Sequence, residues 1–480
     1  VLVAYDDGTI RWHRLSDGQE LLALFVNKDD LRWVAWTPSG YYMASPGGED
    51  LIGWHLNRGW DQAADFFGAS RFRERFSRPD VVQKVLETLD EGKAVEEANG
   101  AARRREDTKP IIAQLPPVIR LLTPGEGSRF SGNDLTVNYE LRSPSGLQVT
   151  RIDVLIDGRI SRGLGRVEQS GSPCGGVSAK PCSGTLTVSV PARDVEVALI
   201  AYAGELAGEP ARVKLAWAGA AAPAAADLLK PKLYALVVGV SDYAAPGLKL
   251  GYAAKDARDF ATALQGQRGG LYGSVETRLI IDREATRNSV VDGLEWLEKQ
   301  VTSRDVGVVF IAGHGVSDEK QNYWFLPADA IPERLRTMAV SQDDIKRTLQ
   351  GLPGKALLFL DTCHAGQAMA SGTRRGTVDV NALVNELSAA ENGVIAFASS
   401  TGREVSMERD DWKNGAFTKA LVEGLVEGRA DLLHKGTITL SQLDAFVVSR
   451  VKELTGGTQH PVMTRPPTVP DFAIALVRAP

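Results

Sequence analysis

The spacing of apolar and polar positions changes four times along the chain. Residues 1–58 alternate at short range in VLVAYDDGTIRWHRLSDGQELLALF and LRWVAWTPSGYYMASPGGEDLIGWHL, with Asp-Gly turns and recurring Trp and Tyr. That pattern predicts short antiparallel strands. From 59 to 110 the spacing becomes helical, most clearly in RPDVVQKVLETLDEGKAVEEANGAARRRED. There Val81, Val82, Val85, Leu86 and Leu89 form one apolar stripe expected to pack. Pro110 to Pro117 breaks the helix, and residues 111–218 return to short strands: PPVIRLLTP, LTVNYELRSP, TRIDVLIDGRIS, GTLTVSVP and VEVALIAYAG. Strands this short, with turns between them, predict an all-β sandwich. The run GAAAPAAA opens a small-residue linker over 219–229. Beyond it, over 230–480, the strands LYALVVGV, ETRLIID, VGVVFIAG, KALLFLD and GVIAFASS alternate with helical patterns. Those helices are AAKDARDFATALQ, TRNSVVDGLEWLEKQV, SQDDIKRTLQGL, AFTKALVEGLVEG and SQLDAFVVSRVKEL. Such alternation predicts a multidomain chain ending in an α/β domain with a mostly parallel sheet and flanking helices.

Two of these strands end in reactive residues. Ala356 to Leu360 is wholly apolar and stops at Asp361, Thr362, Cys363, His364, Ala365 and Gly366. Val306 to Ala312 stops at Gly313, His314 and Gly315. Runs of this kind are buried on both faces, and in parallel sheets chemistry gathers just past their carboxyl ends. Cys363 is therefore placed as a nucleophile, and His314, 49 residues earlier, can share its cleft. An imidazole beside a thiol favours the reactive thiolate. The glycines on either side of His314 are expected to let the backbone turn tightly against a substrate. His364 is the competing base, but side chains of adjacent residues diverge, so His314 is preferred.

Length and charge narrow the functions open to the chain. At 480 residues with 43% hydrophobic content it should hold about two to four domains. Net charge is −5 with both signs mixed, which gives no electrostatic case for nucleic acid. Arg103, Arg104 and Arg105 are expected to be a solvated helix end or a linker. No apolar run is long enough to span a bilayer. Val1 opens inside a strand pattern, so the sequence is expected to be a piece of a longer chain with any leader out of view. The compartment is unassigned, with the cytoplasm favoured. Of three cysteines, Cys174 and Cys182 flank a Gly/Ser/Pro-rich loop and are either a small disulfide or two free thiols. Seven intervening residues and no nearby His make poor zinc spacing.

Residues 230–475 resemble the caspase-like cysteine peptidases, and within them the metacaspase and orthocaspase branch. The resemblance rests on KLGYAAKDA with Asp256, IAGHG with His314, DTCHAG with Cys363, and GAFTKALVEGL followed by ITLSQLDAFV. Upstream, residues 111–218 resemble the immunoglobulin-like modules used as spacers in bacterial enzymes, and residues 1–58 resemble a partial WD40-type propeller blade. Residues 59–110 would then be a helical connector. A lone blade cannot bury its own faces, so the propeller region is also a candidate partner surface. The resemblance implies a Cys363–His314 dyad with an oxyanion hole from the backbone N–H groups of Gly315 and Cys363. It also implies that Ser399 and Ser400 line the substrate cleft.

Animal caspases carry Gln two residues before the nucleophile. This chain has Asp361 there, as metacaspases do, and Asp256 matches the second acid of their pocket, although Lys255 replaces the Asn expected before it. Two carboxylates suit Arg, and Lys somewhat less, and repel an acidic side chain by several kcal/mol. Cleavage of protein or peptide substrates after Arg or Lys is therefore expected. The loop MASGTRRGTVD, residues 369–379, offers Arg374 and Arg375 as self-cleavage sites. No cofactor is required by the dyad. Calcium activation, common among metacaspases, stays open, since the acids of SMERDD and SDE form no EF-hand-like loop. The competing readings are a non-catalytic caspase-like scaffold and another peptidase of the same clan, such as a separase-like or gingipain-like enzyme.

Overall fold

A computed structural model describes residues 1–61, 63–105, 109–161, 181–219, 230–245, 247–318, 322–364, 380–401 and 406–477. The C-terminal domain is built on one eight-stranded sheet. Its strands are β1 (Leu233–Gly239), β2 (Val275–Ile281), β3 (Val306–Ser317), β4 (Tyr323–Phe325), β5 (Val340–Ser341), β6 (Lys355–His364), β7 (Val394–Ala398) and β8 (Val462–Thr464). The main path runs β2-β1-β3-β6-β7-β8, with the first five strands parallel and β8 antiparallel. β4 pairs with the far end of β3, and β5 with β4.

Alternate side chains along these strands feed two separate cores. Leu236, Val238, Val309, Ile311, Leu358 and Leu360 face helices α2 (Arg287–Gln300), α3 (Gln342–Gly351) and α4 (Val380–Leu387). Ala235, Val237, Val308, Phe310, Leu357 and Phe359 face α1 (Ala253–Gln265), α5 (Ala416–Val426) and α6 (Leu440–Thr455). In the second core Phe260 stacks on Phe310 at 4.5 Å and Phe359 on Phe397 at 4.7 Å. Covering both faces leaves only the strand ends open, so the sheet's C-terminal edge is where chemistry can be reached.

The five expected strands are present, but two run further than their apolar stretches. β3 continues through Gly313–Gly315 to Ser317, and β6 continues through Asp361 to His364. No turn occurs at the two glycines. They make room for rings instead: a methyl at Gly313 would lie 2.7 Å from the Tyr243 hydroxyl oxygen, and one at Gly315 would lie 2.6 Å from Tyr323. The short strands β4, β5 and β8, and helix α4, were not expected.

Upstream, two sheets enclose one core over residues 118–217. Val118–Thr123, Asp134–Arg142 and Cys182–Ser189 form the smaller sheet. Arg151–Ile156, Val195–Ala203 and Ala211–Trp217 form the body of the larger. Val137, Tyr139 and Leu186 meet Ile152, Val197, Leu199 and Val213 between them. Cys182 is disulfide-bonded rather than a free thiol, and Cys174, the other cysteine of that loop, lies outside the described residues.

The N-terminal region is a five-stranded antiparallel meander from Leu2 to Ala44, followed by a hairpin of Gly53–Leu56 with Asp65–Gly68. The first α-helix thus begins only at Arg73, later than residue 59. The single long helical pattern divides into Pro79–Thr88 and Glu91–Ala102, because Leu89 adopts φ 52° and Asp90 caps the second helix through the N–H of Lys93. Val81, Val82 and Val85 pack on the meander with Leu21 and Leu22, whereas Leu86 and Leu89 are 40% and 48% exposed, beyond the width of the buried stripe. The N-terminal region grips α4 and the segment that follows it. Arg71 pairs with Glu391 at 3.0 Å, Arg73 donates to the carbonyl of Asn385 at 3.0 Å, and the Gly47 N–H donates to the Asn385 side chain at 2.7 Å.

Candidate active site

Parallel pairing of β3 with β6 sets His314 beside Cys363 and Ala312 beside Asp361. Neighbouring strands lie about 4.8 Å apart, so the backbones of His314 and Cys363 are adjacent. The His314 side chain is buried, 4% exposed, and its Nε2 lies 2.9 Å from the carbonyl oxygen of Leu248. A carbonyl can only accept, so Nε2 carries the proton and a neutral ring presents Nδ1 as its basic nitrogen. The His314 N–H donates to the Tyr243 hydroxyl oxygen at 2.7 Å, and the two rings lie 5.1 Å apart. Both supports come from the segment between β1 and α1. Gly315 sits in register with His364 on one side and Phe325 on the other.

The two acids predicted to form a pocket do converge. Asp256, in the first turn of α1, is 2% exposed, and Asp361 is 6% exposed. Gly415 lies between them: a methyl there would stand 3.3 Å from Asp256 Oδ2 and 3.2 Å from Asp361 Oδ2. The Gly415 N–H donates to Asp256 Oδ1 at 3.1 Å, the Asn414 amide donates to the same oxygen at 2.8 Å, and the Thr418 hydroxyl donates to Asp361 Oδ2 at 2.8 Å. Hydroxyls of Ser399 and Ser406 also serve Asp361 and lie 2.5 Å from each other. Ser399 is fixed by its N–H to the carbonyl of Leu360 at 2.8 Å, and Ser400 is buried next to it. Among the described residues no Lys or Arg pairs with either acid; the adjacent Lys255 turns to Asp259 instead.

Burial, then the neighbouring charge of Asp361, pushes the Asp256 carboxyl well above the ordinary carboxylate range. Burial chiefly, with Glu408 adding to it, pushes Asp361 up to about 6. Glu408 itself accepts the N–H groups of Gly251 and Tyr252 at 2.9 and 3.3 Å. An acid whose folded pKa exceeds its unfolded value favours the folded state at low pH, and that contribution is lost as pH rises through the folded pKa. For Asp361 the window runs from the ordinary 3.8 to about 6. Asp361→Asn should therefore raise Tm relative to wild type by an amount that grows from pH 4 to pH 7. A Tm difference that stays flat across that range would mean Asp361 titrates normally.

His314, Cys363, Asp256, Asp361, Ser399 and Ser400 thus all lie on or beside the C-terminal edge of the sheet. Arg374 and Arg375 fall outside the described residues. The carbonyl of Leu248, the Tyr243 hydroxyl, Asn414, Ser406 and Glu408 were not anticipated. Gly415 and Thr418 stand within GAFTKALVEGL, but nothing in that string signals that they hold acids. Among the described residues no group of three or more His, Cys, Asp and Glu is arranged to hold a metal ion, and no helix is long and apolar enough to cross a membrane.

Comparison with known proteins gives one decisive match. The family model for the caspase domain matches residues 232–472, half of the chain. No curated protein matches the sequence. Among solved structures, protein GSU0716 from Geobacter sulfurreducens is 18% identical, covers 49% of this chain and 94% of its own, and superposes with a TM-score of 0.36. A GH5 xyloglucanase from Bacteroides ovatus, solved with a XXXG heptasaccharide, is 8% identical over 62% of this chain and 75% of its own, with a TM-score of 0.15. Superpositions this loose carry no argument about fold or function. The family match, together with a His and a Cys in register at the end of a buried parallel sheet, establishes that this chain belongs to the caspase domain family of cysteine peptidases.

Proposed function

We propose that the chain is an endopeptidase of the metacaspase type that cleaves after Arg or Lys. The observation that carries this reading is the convergence of Asp256 and Asp361 on Gly415, both buried and, among the described residues, without a cation. Two buried acids are costly unless a cation meets them. An arginine guanidinium, with its planar fork of donors, fits two carboxylates better than a lysine ammonium does.

In the proposed reaction His314 Nδ1 accepts the proton of Cys363. The thiolate sulfur then attacks the scissile carbonyl carbon and forms a C–S bond. The N–H groups of Gly315 and Cys363 stabilise the developing oxyanion. The C–N bond breaks as His314 returns the proton to the leaving amine, and water then hydrolyses the thioester. The Leu248 carbonyl keeps Nε2 protonated throughout, so Nδ1 is the nitrogen that cycles. Asn414, Gly415 and Thr418 hold the two acids in place for the P1 side chain. The meander and the two-sheet region are read as a WD40-like remnant and an immunoglobulin-like module that brace the peptidase domain. An electrophilic arginyl peptide should label wild type at Cys363. Absence of labelling alongside absence of peptide cleavage would favour a non-catalytic scaffold.

Self-cleavage after Arg374 or Arg375 belongs to the same proposal, since these side chains match the pocket. Intact-mass measurement of purified wild type should give two fragments split at that point, and Cys363→Ala should stay whole. A wild-type chain that cuts arginyl peptides while remaining uncut there would remove the processing step.

A further inference from the structure

Arg159 stands at the junction between the two-sheet region and the peptidase domain, with no partner for half of its guanidinium. Its position follows from a two-residue hairpin. Ile156 pairs with Arg159 across Asp157 and Gly158, which adopt φ 50° and 80°. An Asp-Gly pair with both φ values positive suits a tight turn that continues the twist of its strands. The tip of this turn is wedged into the other domain. A methyl at Gly158 would lie 2.3 Å from Val469, and one at Gly393 would lie 2.1 Å from the carbonyl oxygen of Gly158. Arg159 is thereby carried into a cleft lined also by Gln350, Gly351, Leu352, Glu391 and Asn392.

Arg159 Nη1 donates to the carbonyls of Asn392 at 3.1 Å and Leu349 at 3.4 Å. Nε and Nη2 are closed off from solvent and meet no hydrogen-bond partner among the described residues. The hydroxyl of Ser161, two residues on and therefore on the same face of the strand, is closed off and unpartnered in the same way. Glu391, the acid in the cleft wall, is occupied by Arg71 at 3.0 Å. Burial pulls the Arg159 guanidinium down to about 9, which still leaves it charged at neutral pH. A buried charge without a counter-charge is strongly unfavourable, and water supplies none.

We infer that the cleft at Arg159 binds one small oxoanion, of the phosphate or carboxylate class, which ties the two-sheet region to the peptidase domain. The unpartnered Nε–Nη2 edge supplies the two parallel donors that such a group accepts once the cleft wall moves off it. Because the cleft joins two domains, occupancy strengthens their docking and stabilises the folded chain by mass action.

The test titrates inorganic phosphate and, separately, acetate into the full chain, with chloride keeping ionic strength constant. At roughly tenfold excess over Kd, a saturable Tm rise of about 1–3 °C is expected with at least one of them. The anion that saturates at the lower concentration identifies the class. Arg159→Leu should abolish the rise, and Arg159→Lys, which keeps the charge but loses the fork, should need a higher concentration. No saturable rise in wild type, or an equal rise in Arg159→Leu, overturns the inference. Should Arg159→Leu fail to fold, hydrogen exchange on wild type decides. The stabilising anion must slow exchange at residues 155–161 and 391–393, and slowing confined to other regions overturns the site.

Discussion

Cys363→Ala is expected to lower kcat/KM for an arginyl peptide by about 10⁴-fold or more. Alanine offers no electron pair to the scissile carbonyl, and no neighbouring group replaces a covalent nucleophile. Folding should be preserved, because β6 keeps its ladder to β3 and β7 through residues on either side. His314→Ala should lose about 10²–10⁴-fold, the range for one general acid–base group. The remaining rate should lose its dependence on the imidazole's titration. Both effects are read from steady-state kinetics beside a thermal melt. Activity within a few-fold of wild type in either variant, with the melt unchanged, would remove that residue from the reaction.

The second large effect falls on substrate choice. Asp361→Asn keeps the shape of the side chain and an acceptor oxygen for Thr418, but removes the charge. Cleavage after Arg should fall by about 10- to 150-fold, equivalent to the roughly 1.5–3 kcal/mol of a hydrogen bond to a charged group. Asp256→Asn should act in the same direction. In the proposed pocket both acids meet one guanidinium, so the double variant should lose less than the sum of the two. Substrates that differ only at P1 make the comparison. A wild-type preference for P1 Asp over P1 Arg would show that this pocket does not receive P1.

The features legible in the sequence were those written in long or continuous patterns. The apolar runs Val306–Ala312 and Ala356–Leu360 marked the central strands, and the polar residues after them marked the site. Features made by tertiary packing were not legible. β5 has two residues and β4 and β8 three each, too few to show any period, and β8 lies between Pro461 and Pro466. The partner of His314 Nε2 is a main-chain carbonyl, which any residue at position 248 would supply. Asn414 reaches Asp256 across 158 positions of sequence, a distance no local pattern reports. The glycines around His314 signalled a tight approach, but the approaching groups are the rings of Tyr243, Phe325 and Tyr323. The break at Leu89 had a local sign in Asp90, a good N-cap, which the continuous helical spacing on both sides obscured.

The late position of β8 and of the Asn414–Thr418 segment has a consequence for synthesis. A ribosome that has delivered Cys363 must still add about fifty residues before Asn414, Gly415 and Thr418 exist to hold the two acids. It must add about a hundred before Thr464 can close the outer edge of β7. At roughly 5–20 residues per second, that second interval lasts on the order of 5–20 s. During it the nascent chain carries Cys363 without a finished sheet, so the cleft edge and the groups that hold Asp256 and Asp361 are completed only after translation has passed β8.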